Sequence, residues 1–381
     1  MSQQQDNAPS GSKRLVFGLL GLGFSLLLFE VLASVVLLHV YRGEADAAAP
    51  FDAEPTPFAS INLPAWVLRG LRDPAPAADA TAPEFRAEIE PDPMVVEHPV
   101  LGWAPQPGRY THTFFRREDP AAPWEHLVTE VTIGPDGARS FGPHDDSAPR
   151  IYVFGDSFVF GTGVHDDQTF AYRLQQAFPD HVVKLFAFGG YGMGHAWLRF
   201  GMLEADLRPE DRIVLGYADY YDARNVADPA RLRSAARFRA TRNPETQDIR
   251  RTTPRIILEN GALSVDYLEF NCRFNAEYCE SRSPSRRYKR AVSAALMNDV
   301  AARSPGPVWV VHFQGDTSNP VLGMLDDDIT VVSALDGDFD GFVRDDIEGF
   351  DAHPGPYWHH AMGRRIAGAL RTAAPVPRTE P

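Results

Sequence analysis

A serine stands just past the end of an apolar segment, in the sequence RIYVFGDSFVFGTGV (150–164). Ser157 comes two residues after the predicted strand RIYVFG, and Gly155 permits a tight turn before it. A serine hydroxyl is a weak nucleophile unless a neighbouring base removes its proton. If Ser157 is a nucleophile, the chain must therefore also supply a histidine base with a carboxylate that orients it.

His353 is the histidine whose position fits a general base best. The sequence GFDAHPGPYWHH (349–360) lies between the last predicted strand and the last predicted helix. Asp351, two residues before His353, can accept from one ring nitrogen and leave the other free to take a proton. His359 and His360 fall within the helix and are expected on its surface.

A tetrahedral intermediate also needs donors for its oxyanion. The glycine-rich sequence FGGYGMG (188–194) follows the second predicted strand. Glycines let backbone N–H groups approach a ligand closely. We therefore predict Gly190, together with the backbone N–H of Ser157, as the oxyanion donors.

The elements that must position these residues alternate between strand and helix. Near-continuous apolar strands are predicted at 150–155, 181–188, 211–217, 307–313 and 328–335, and helices at 168–178, 194–207, 286–304 and 358–373. This alternation predicts a doubly wound α/β domain with a five-stranded parallel sheet covered on both faces. Ligands bind beyond the carboxyl ends of strands in such sheets, where the candidate residues fall.

Four short motifs, in order along the chain, resemble those of the SGNH (GDSL-type) hydrolases. They are Gly155-Asp156-Ser157 after the first strand, the glycine turn after the second, Gly216-x-x-Asp219 after the third, and Asp351-x-His353-Pro354 before the last helix. The resemblance covers roughly residues 149–374, and the lead-in sequence HPVLGWAPQPG is similar to that of membrane-anchored bacterial members. It implies a three-layer α/β/α, flavodoxin-like fold.

The resemblance also implies roles for individual residues. Ser157 would be the nucleophile, His353 the base and Asp351 its orienter, with Gly190 and the Ser157 amide as oxyanion donors. Asp156 would brace the nucleophile turn, and Asp219 would support the site from the third strand. Members of this family are esterases, lipases and carbohydrate esterases, with some O-acyltransferase relatives, and they need no metal or organic cofactor.

The third motif departs from the family pattern. Ala218 stands where an asparagine is expected as a third oxyanion donor, and loss of one such donor costs about 10²–10³ in rate. Tyr220, Tyr221 and Asn225 are alternative donors, and Arg224 could hold an anionic or sugar group. The aromatic residues of ADYYD (218–222) could equally belong to the core or form a sugar-binding platform. The spacing of Asp351 and His353 is also one residue shorter than is common.

An apolar segment at 15–41 carries one charged residue, Glu30, and is long enough to cross a bilayer. The preceding Lys13 and Arg14 predict a cytoplasmic N-terminus (1–14) and an outward-facing chain. A cleaved signal peptide ending near ADA (45–47) is the alternative, although its apolar region would be shorter.

The predicted organisation of the rest of the chain is a Pro/Ala-rich tether (42–92), a β-rich lead-in (93–148), the α/β domain (149–374) with an insert (222–285), and a short tail (375–381).

The formal net charge of −14 argues against nucleic acid as a main partner. Two basic segments, 231–242 and 281–290, are expected on solvated faces of the insert, with a docking site for an acidic polymer as the alternative.

HDDQ (165–168) fits a helix cap better than a metal site. Cys272 and Cys279, close in sequence, either form a disulfide or remain two thiols.

These features favour an outward-facing, bacterial inner-membrane serine ester hydrolase that acts on short acyl esters, such as O-acetyl groups of an envelope polysaccharide. An O-acetyltransferase using the same triad is an alternative, and it would need an acyl donor delivered by a partner membrane protein. A non-catalytic member that binds glycan or scaffolds an envelope complex is a further alternative.

Overall fold

The computed structural model describes residues 84–118, 121–142, 147–234, 251–314, 319–333 and 353–372. The predicted membrane span at 15–41 and the candidate triad residue Asp351 lie outside these ranges. Within them, no helix has the length and apolar character needed to cross a bilayer.

The described residues include twelve strands and seven α-helices. The strands are β1 (Glu84–Glu90), β2 (Val95–His98), β3 (Gly102–Pro105), β4 (Gly108–Arg117), β5 (Glu125–Ile133), β6 (Arg150–Gly155), β7 (Val182–Ala187), β8 (Arg212–Ala218), β9 (Thr252–Glu259), β10 (Ala262–Glu269), β11 (Val308–Gln314) and β12 (Ile329–Ser333). The helices are α1 (Ser157–Phe160), α2 (Phe170–Ala177), α3 (Met193–Leu203), α4 (Tyr221–Asn225), α5 (Ala276–Glu280), α6 (Arg286–Arg303) and α7 (Pro356–Thr372).

Five parallel strands form the central sheet, in the order β12-β11-β8-β6-β7. Read from β7 to β12, these strands are the second, first, third, fourth and fifth of the sheet in chain order, which is the flavodoxin-like doubly wound arrangement. The predicted five-stranded parallel sheet is therefore confirmed. The order reverses between β6 and β8, and ligands of such folds bind at this switch point.

Alternate residues of β6 enter two separate hydrophobic cores. Ile151 and Val153 pack in one core with α2 and α7, whereas Tyr152 and Phe154 pack in the other with α3 and α6. Because side chains alternate along a strand, the two cores lie on opposite faces of the sheet. Helices therefore cover both faces, giving three α/β/α layers.

The β-rich lead-in begins earlier than the sequence indicated. β1 lies inside the range 42–92 assigned to the tether, and it pairs with β4 in an antiparallel sheet of order β1-β4-β5. β2 and β3 form a separate hairpin. Arg139, which follows β5, bridges to β7 through its N–H and the carbonyl of Leu185, at 2.9 Å. This contact joins the lead-in to the central sheet.

The insert contains a β-hairpin and a disulfide. β9 and β10 pair antiparallel, and Cys272 and Cys279 are bonded to each other. Of the two alternatives that the sequence left open for these cysteines, the disulfide is the one present. The basic segment 231–242 is described only as far as residue 234.

Candidate active site

The nucleophile candidate begins a one-turn helix at the switch point of the sheet. β6 ends at Gly155, Asp156 caps α1, and Ser157 is the first residue of α1. A Cβ on Gly155 would lie 2.2 Å from a methyl group of Val159, so the turn requires glycine at this position. α1 ends at Gly161, whose φ of 82° lies in the left-handed region.

The Asp156 carboxylate, fully buried, is hydrogen-bonded through both oxygens. Oδ1 accepts from the backbone N–H of Phe158 at 3.0 Å. Oδ2 accepts from the hydroxyl of Tyr220 at 2.6 Å and from Nη1 of Arg224 at 2.8 Å. The backbone N–H of Asp156 donates to the Tyr221 hydroxyl at 2.9 Å. Asp156 thus links the start of α1 to the segment that follows β8.

The histidine candidate lies against the residue next to Ser157. The ring of His353 is 5.2 Å, centroid to centroid, from the ring of Phe158. The structure therefore brings the chain before α7 to the same sheet edge as Ser157, as the sequence predicted. The predicted partner Asp351 lies outside the described residues, so the assignment of the three residues as a triad stays a prediction.

His359 is not on the surface of α7, contrary to the expectation from sequence. Its side chain is fully buried, stacks on the ring of Phe170 and accepts from the backbone N–H of Phe170 through Nδ1 at 3.3 Å. Burial, with nearby Arg139 and His353, lowers the pKa of His359 to about 3. His359 is therefore a neutral core residue, whereas His360 is exposed.

The predicted oxyanion residue Gly190 lies in the turn after β7 with a φ of 82°. A Cβ there would be 3.2 Å from Cζ2 of Trp103. Trp103, in β3, donates its indole N–H to the carbonyl of Gly189 at 3.1 Å, and its own carbonyl accepts from the Tyr191 hydroxyl at 2.6 Å. The lead-in therefore holds this glycine turn through a tryptophan that the sequence did not single out.

Asp219 contacts β11 and the loop after it. Its Oδ1 is 2.8 Å from Nε2 of His312 and accepts from Nδ2 of Asn319 at 2.5 Å. Neither His312 nor Asn319 was identified from the sequence, because both lie about 100 residues away along the chain. The described side-chain contacts of Asp219 are thus with β11 and the loop after it, whereas those of Asp156 are with α1 and the segment after β8.

The residues considered as replacements for the missing asparagine already have hydrogen-bonding partners. Ala218 itself is buried at the end of β8. Asn225 accepts from the backbone N–H of Gly194 through Oδ1 and donates to the Ser293 hydroxyl through Nδ2, both at 2.9 Å. Tyr220 donates to Asp156 at 2.6 Å. The Tyr220 hydroxyl and the Asn225 amide would each have to give up the present acceptor before donating to an oxyanion.

Two of the three tyrosines near Ala218 are core residues. Tyr217 and Tyr221 have no exposed surface, which excludes them from a sugar-binding platform. Burial raises the pKa of both phenols well above the ordinary value. Tyr220 is partly exposed, and the guanidinium of Arg224 lies 4.3 Å over its ring.

The loop after α1 is organised around a buried arginine. Arg139 Nη1 donates to the carbonyls of Phe160 at 2.7 Å and Gly161 at 2.8 Å, and Nη2 donates to that of Val164 at 2.7 Å. Nε donates to Asp166 Oδ1 at 2.7 Å. Asp166 thus anchors the HDDQ segment (165–168) to Arg139. Arg139 was not identified from the sequence.

Comparisons with known proteins return solved structures that are described as lipolytic proteins, an esterase and an acyltransferase. No family model and no curated protein matches the chain. A lipolytic protein of the G-D-S-L family from Desulfitobacterium hafniense is similar, at 12% identity and a TM-score of 0.32, over 58% of this chain and 99% of that one. It carries the family description that the four sequence motifs resemble.

Two further solved structures extend the comparison. The esterase EstA from Pseudoalteromonas sp. is similar at 12% identity and a TM-score of 0.30, over 58% of this chain and 99% of that one. The salicylyl-acyltransferase SsfX3 from a tetracycline biosynthetic pathway is similar at 17% identity and a TM-score of 0.29, over 77% of this chain and 80% of that one. At such low scores and identities these similarities assign no function to this chain by themselves.

Proposed function

We propose that this protein is a serine ester hydrolase of the SGNH (GDSL) type that acts on short acyl esters. The observation that carries the proposal is the position of Ser157, at the first residue of α1 and at the switch point between β6 and β8. His353, against Phe158, is the general base, and Asp351 orients it. Acylation of Ser157 releases the alcohol, and water then attacks the acyl-enzyme to release the acid and restore Ser157.

In this mechanism the backbone N–H groups of Ser157 and Gly190 stabilise the oxyanion. The left-handed conformation of Gly190 and the hydrogen bond from Trp103 to the Gly189 carbonyl support this role, because both define the path of the turn. Asp156 acts through its contacts with the nucleophile turn, and Asp219 supports the edge of the sheet from β8. The proposed substrate is an O-acetyl ester of an envelope polysaccharide, and no metal or organic cofactor takes part.

The same proposal includes a membrane anchor at 15–41, with the N-terminus in the cytoplasm and the α/β domain outside it. The disulfide between Cys272 and Cys279 supports an extracytoplasmic location, because disulfides persist in oxidising compartments.

O-acyl transfer to a sugar hydroxyl is the second candidate. It is favoured by Ala218, which supplies no side-chain donor, and by the existing hydrogen bonds of Asn225 and Tyr220. Transfer uses the same acyl-enzyme, and the sugar hydroxyl replaces water as the second nucleophile. A partner membrane protein would deliver the acyl donor.

Hydrolysis of p-nitrophenyl acetate by the full-length chain tests the proposal. Ser157→Ala is expected to reduce kcat/KM by at least about 10³-fold, and a fluorophosphonate is expected to add mass at Ser157. Ser281→Ala, at an exposed serine, is the matched control and should retain full activity. Activity that survives Ser157→Ala would remove the nucleophile. The full chain is needed because a fragment starting at residue 93 lacks β1.

A sugar acceptor distinguishes the two candidates. For a hydrolase, free acetate accounts for the p-nitrophenol released whether or not sugar is present. For a transferase, acetylated sugar appears and the deacylation rate rises when sugar is added. An acyl-enzyme that forms on Ser157 and turns over only with sugar would contradict hydrolysis as the main reaction.

A further inference from the structure

Two separate turns carry the backbone N–H groups that are the proposed oxyanion donors. Ser157 begins α1 after β6, and Gly190 lies in the turn after β7. β6 and β7 are adjacent parallel strands, and at their ends the N–H of Phe188 donates to the carbonyl of Gly155 at 3.3 Å. Each proposed donor lies two residues beyond this hydrogen bond, so further contacts must fix its position.

Arg224, in α4, joins these two turns. Its Nη1 donates to Oδ2 of Asp156 at 2.8 Å and to the backbone carbonyl of Tyr191 at 2.6 Å. Asp156 directly precedes Ser157, and Tyr191 directly follows Gly190. A single guanidinium nitrogen therefore bridges the neighbours of both proposed donors.

The guanidinium of Arg224 is packed in place at this bridge. It lies 4.3 Å from the centroid of the Tyr220 ring, an arrangement in which the ring attracts a cation. On the side of the turn after β7, a Cβ on Gly192 would lie 3.0 Å from the Cβ of Arg224, so the two segments are in close contact. The side chains of Arg224 and Asp156 are 17% and 1% exposed, so salt and water screen their attraction less than at the surface.

The spacing of the two proposed N–H donors matters, because each must point at the atom on which negative charge develops. Ala218, buried at the end of β8, supplies no side-chain donor. Stabilisation of the oxyanion in the proposed mechanism therefore depends on two groups that belong to different turns. A displacement of about 1 Å in such a site can cost about 100-fold in rate, so a link that fixes the turns relative to each other contributes to the rate.

We propose that Arg224 is a positioning residue, whose bridge between Asp156 and Tyr191 sets the distance between the N–H groups of Ser157 and Gly190. The inference rests on the proposed function, because these N–H groups act in its transition state. Arg224 acts here through the two turns, whereas the sequence suggested it as a residue that holds an anionic or sugar group. The two roles differ in what loss of the side chain changes: the rate of acylation or the affinity for the ester.

Arg224→Met in the full-length chain tests the inference, because methionine keeps an unbranched apolar stem but donates no hydrogen bond. Stopped-flow release of p-nitrophenolate from p-nitrophenyl acetate separates the acylation rate constant from the dissociation constant of the ester. We expect the acylation rate constant to fall about 10- to 100-fold. The dissociation constant should change less than about 2-fold, because the oxyanion forms only after the ester has bound.

Lys289→Met is the matched control. Lys289 Nζ donates to Asp228 Oδ2 at 2.8 Å, and the two side chains are 19% and 3% exposed. Like Asp156, Asp228 also accepts from one hydroxyl and one backbone N–H, those of Ser283 and Ala230. The described hydrogen bonds of this pair involve neither of the two turns, so Lys289→Met should lose similar stability and retain the acylation rate constant.

Two results for Arg224→Met overturn the inference. One is an acylation rate constant that is unchanged or falls no more than in Lys289→Met. The other is a loss confined to the dissociation constant, since it would place Arg224 on the substrate. If Arg224→Met fails to fold by circular dichroism, Asp156→Asn/Arg224→Met replaces it, because removal of both charges leaves no unpaired buried carboxylate. This double variant also lacks the bridge, so a normal acylation rate constant in it overturns the inference.

Amide hydrogen exchange, measured by mass spectrometry without substrate, separates this inference from the proposed function. Loss of the bridge should speed exchange in the turn after β7 (188–192) in Arg224→Met but not in Lys289→Met. Faster exchange in a protein that hydrolyses no ester would retain the bridge and reject the esterase. Ester hydrolysis with an unchanged acylation rate constant in Arg224→Met would reject the role of Arg224 and retain the esterase.

Discussion

Arg139 Nε donates to Asp166 Oδ1 at 2.7 Å, and no part of the Arg139 side chain is exposed to solvent. The same guanidinium donates to the carbonyls of Phe160, Gly161 and Val164. These carbonyls belong to the end of α1 and the loop after it. A residue of the lead-in therefore fixes the chain immediately downstream of Ser157.

Arg139→Lys is expected to destabilise the protein by about 3–5 kcal/mol. One ammonium cannot reproduce the planar set of donors, and it leaves buried carbonyls and Asp166 incompletely paired. Denaturant unfolding measures the change. Arg303→Lys is the control, because Arg303 is about 31% exposed in its pairs with Glu204 and Asp299, and it should cost less than about 1 kcal/mol. Equal losses for the two variants would contradict the structural role of Arg139.

Gly190→Ala is expected to lower the rate of p-nitrophenyl acetate hydrolysis at least about 10-fold. Alanine in the left-handed region costs about 1–2 kcal/mol, and the new Cβ would press on Trp103 at 3.2 Å, so the turn and its N–H groups should shift. Gly261→Ala is the control for backbone strain, because Gly261 also has a left-handed φ, of 79°, and no atom lies within 4 Å of its Cβ position.

Gly261 lies in the turn between β9 and β10. Its alanine variant should therefore lose similar stability in a thermal melt but retain activity. Comparable rates for the Gly190 and Gly261 variants would show that the turn after β7 contributes no oxyanion stabilisation.

The central sheet could be predicted because its strands are buried on both faces. β6, β7 and β8 are short apolar runs, a pattern that the two hydrophobic cores require. β1 was assigned to the tether because its sequence, EFRAEIE, is largely polar and follows an acidic, proline-rich region. Its strand conformation depends on pairing with β4, a contact that the local sequence does not encode.

The site was predictable only where its residues follow strand ends. Ser157, Gly190 and His353 were placed in the candidate site in this way, because the carboxyl edge of a parallel sheet is a property of chain order, and their catalytic roles stay predictions. The contact of Trp103 with the turn at Gly190 could not be predicted, because it depends on how the lead-in folds against the sheet. His359 was misplaced although it precedes Met362, Ile366 and Leu370 at helical spacing and so lies on the apolar face that α7 buries.

Asp156→Asn is expected to cost about 2–4 kcal/mol of stability. The amide oxygen can still accept from the Phe158 N–H, but the amide nitrogen would replace Oδ2, which accepts from Tyr220 and Arg224. Arg224 would lose its buried partner. Tyr220→Phe removes one donor and leaves the ion pair in place, so a loss of about 1 kcal/mol is expected.

Urea unfolding of the two variants measures these free energies. A loss for Asp156→Asn no larger than for Tyr220→Phe would contradict a stabilising pair between Asp156 and Arg224. The activity of both variants, measured at the same fraction folded, then reports whether bracing of the nucleophile turn affects the reaction.

The low pKa of His195 predicts that part of the free energy of unfolding is lost at acid pH. Its Nδ1 accepts from the backbone N–H of Gly192 at 3.2 Å, and its pKa falls from 6.5 to about 3 on folding. Between these pH values the unfolded chain binds more protons than the folded one. The contribution of His195 is therefore complete above about pH 6.5 and decreases as the pH falls toward 3.

His195→Asn should reduce this dependence, because the amide oxygen can replace Nδ1 as acceptor but does not titrate. The free energy of unfolding, measured in urea between pH 6 and pH 4, should fall less steeply in the variant, by up to about 1.4 kcal/mol per pH unit. His360→Asn, at an exposed histidine of α7, should leave the slope unchanged. An unaltered slope in the His195 variant would mean that the imidazole gains its proton without unfolding, which its complete burial beside Arg231 and Arg224 opposes.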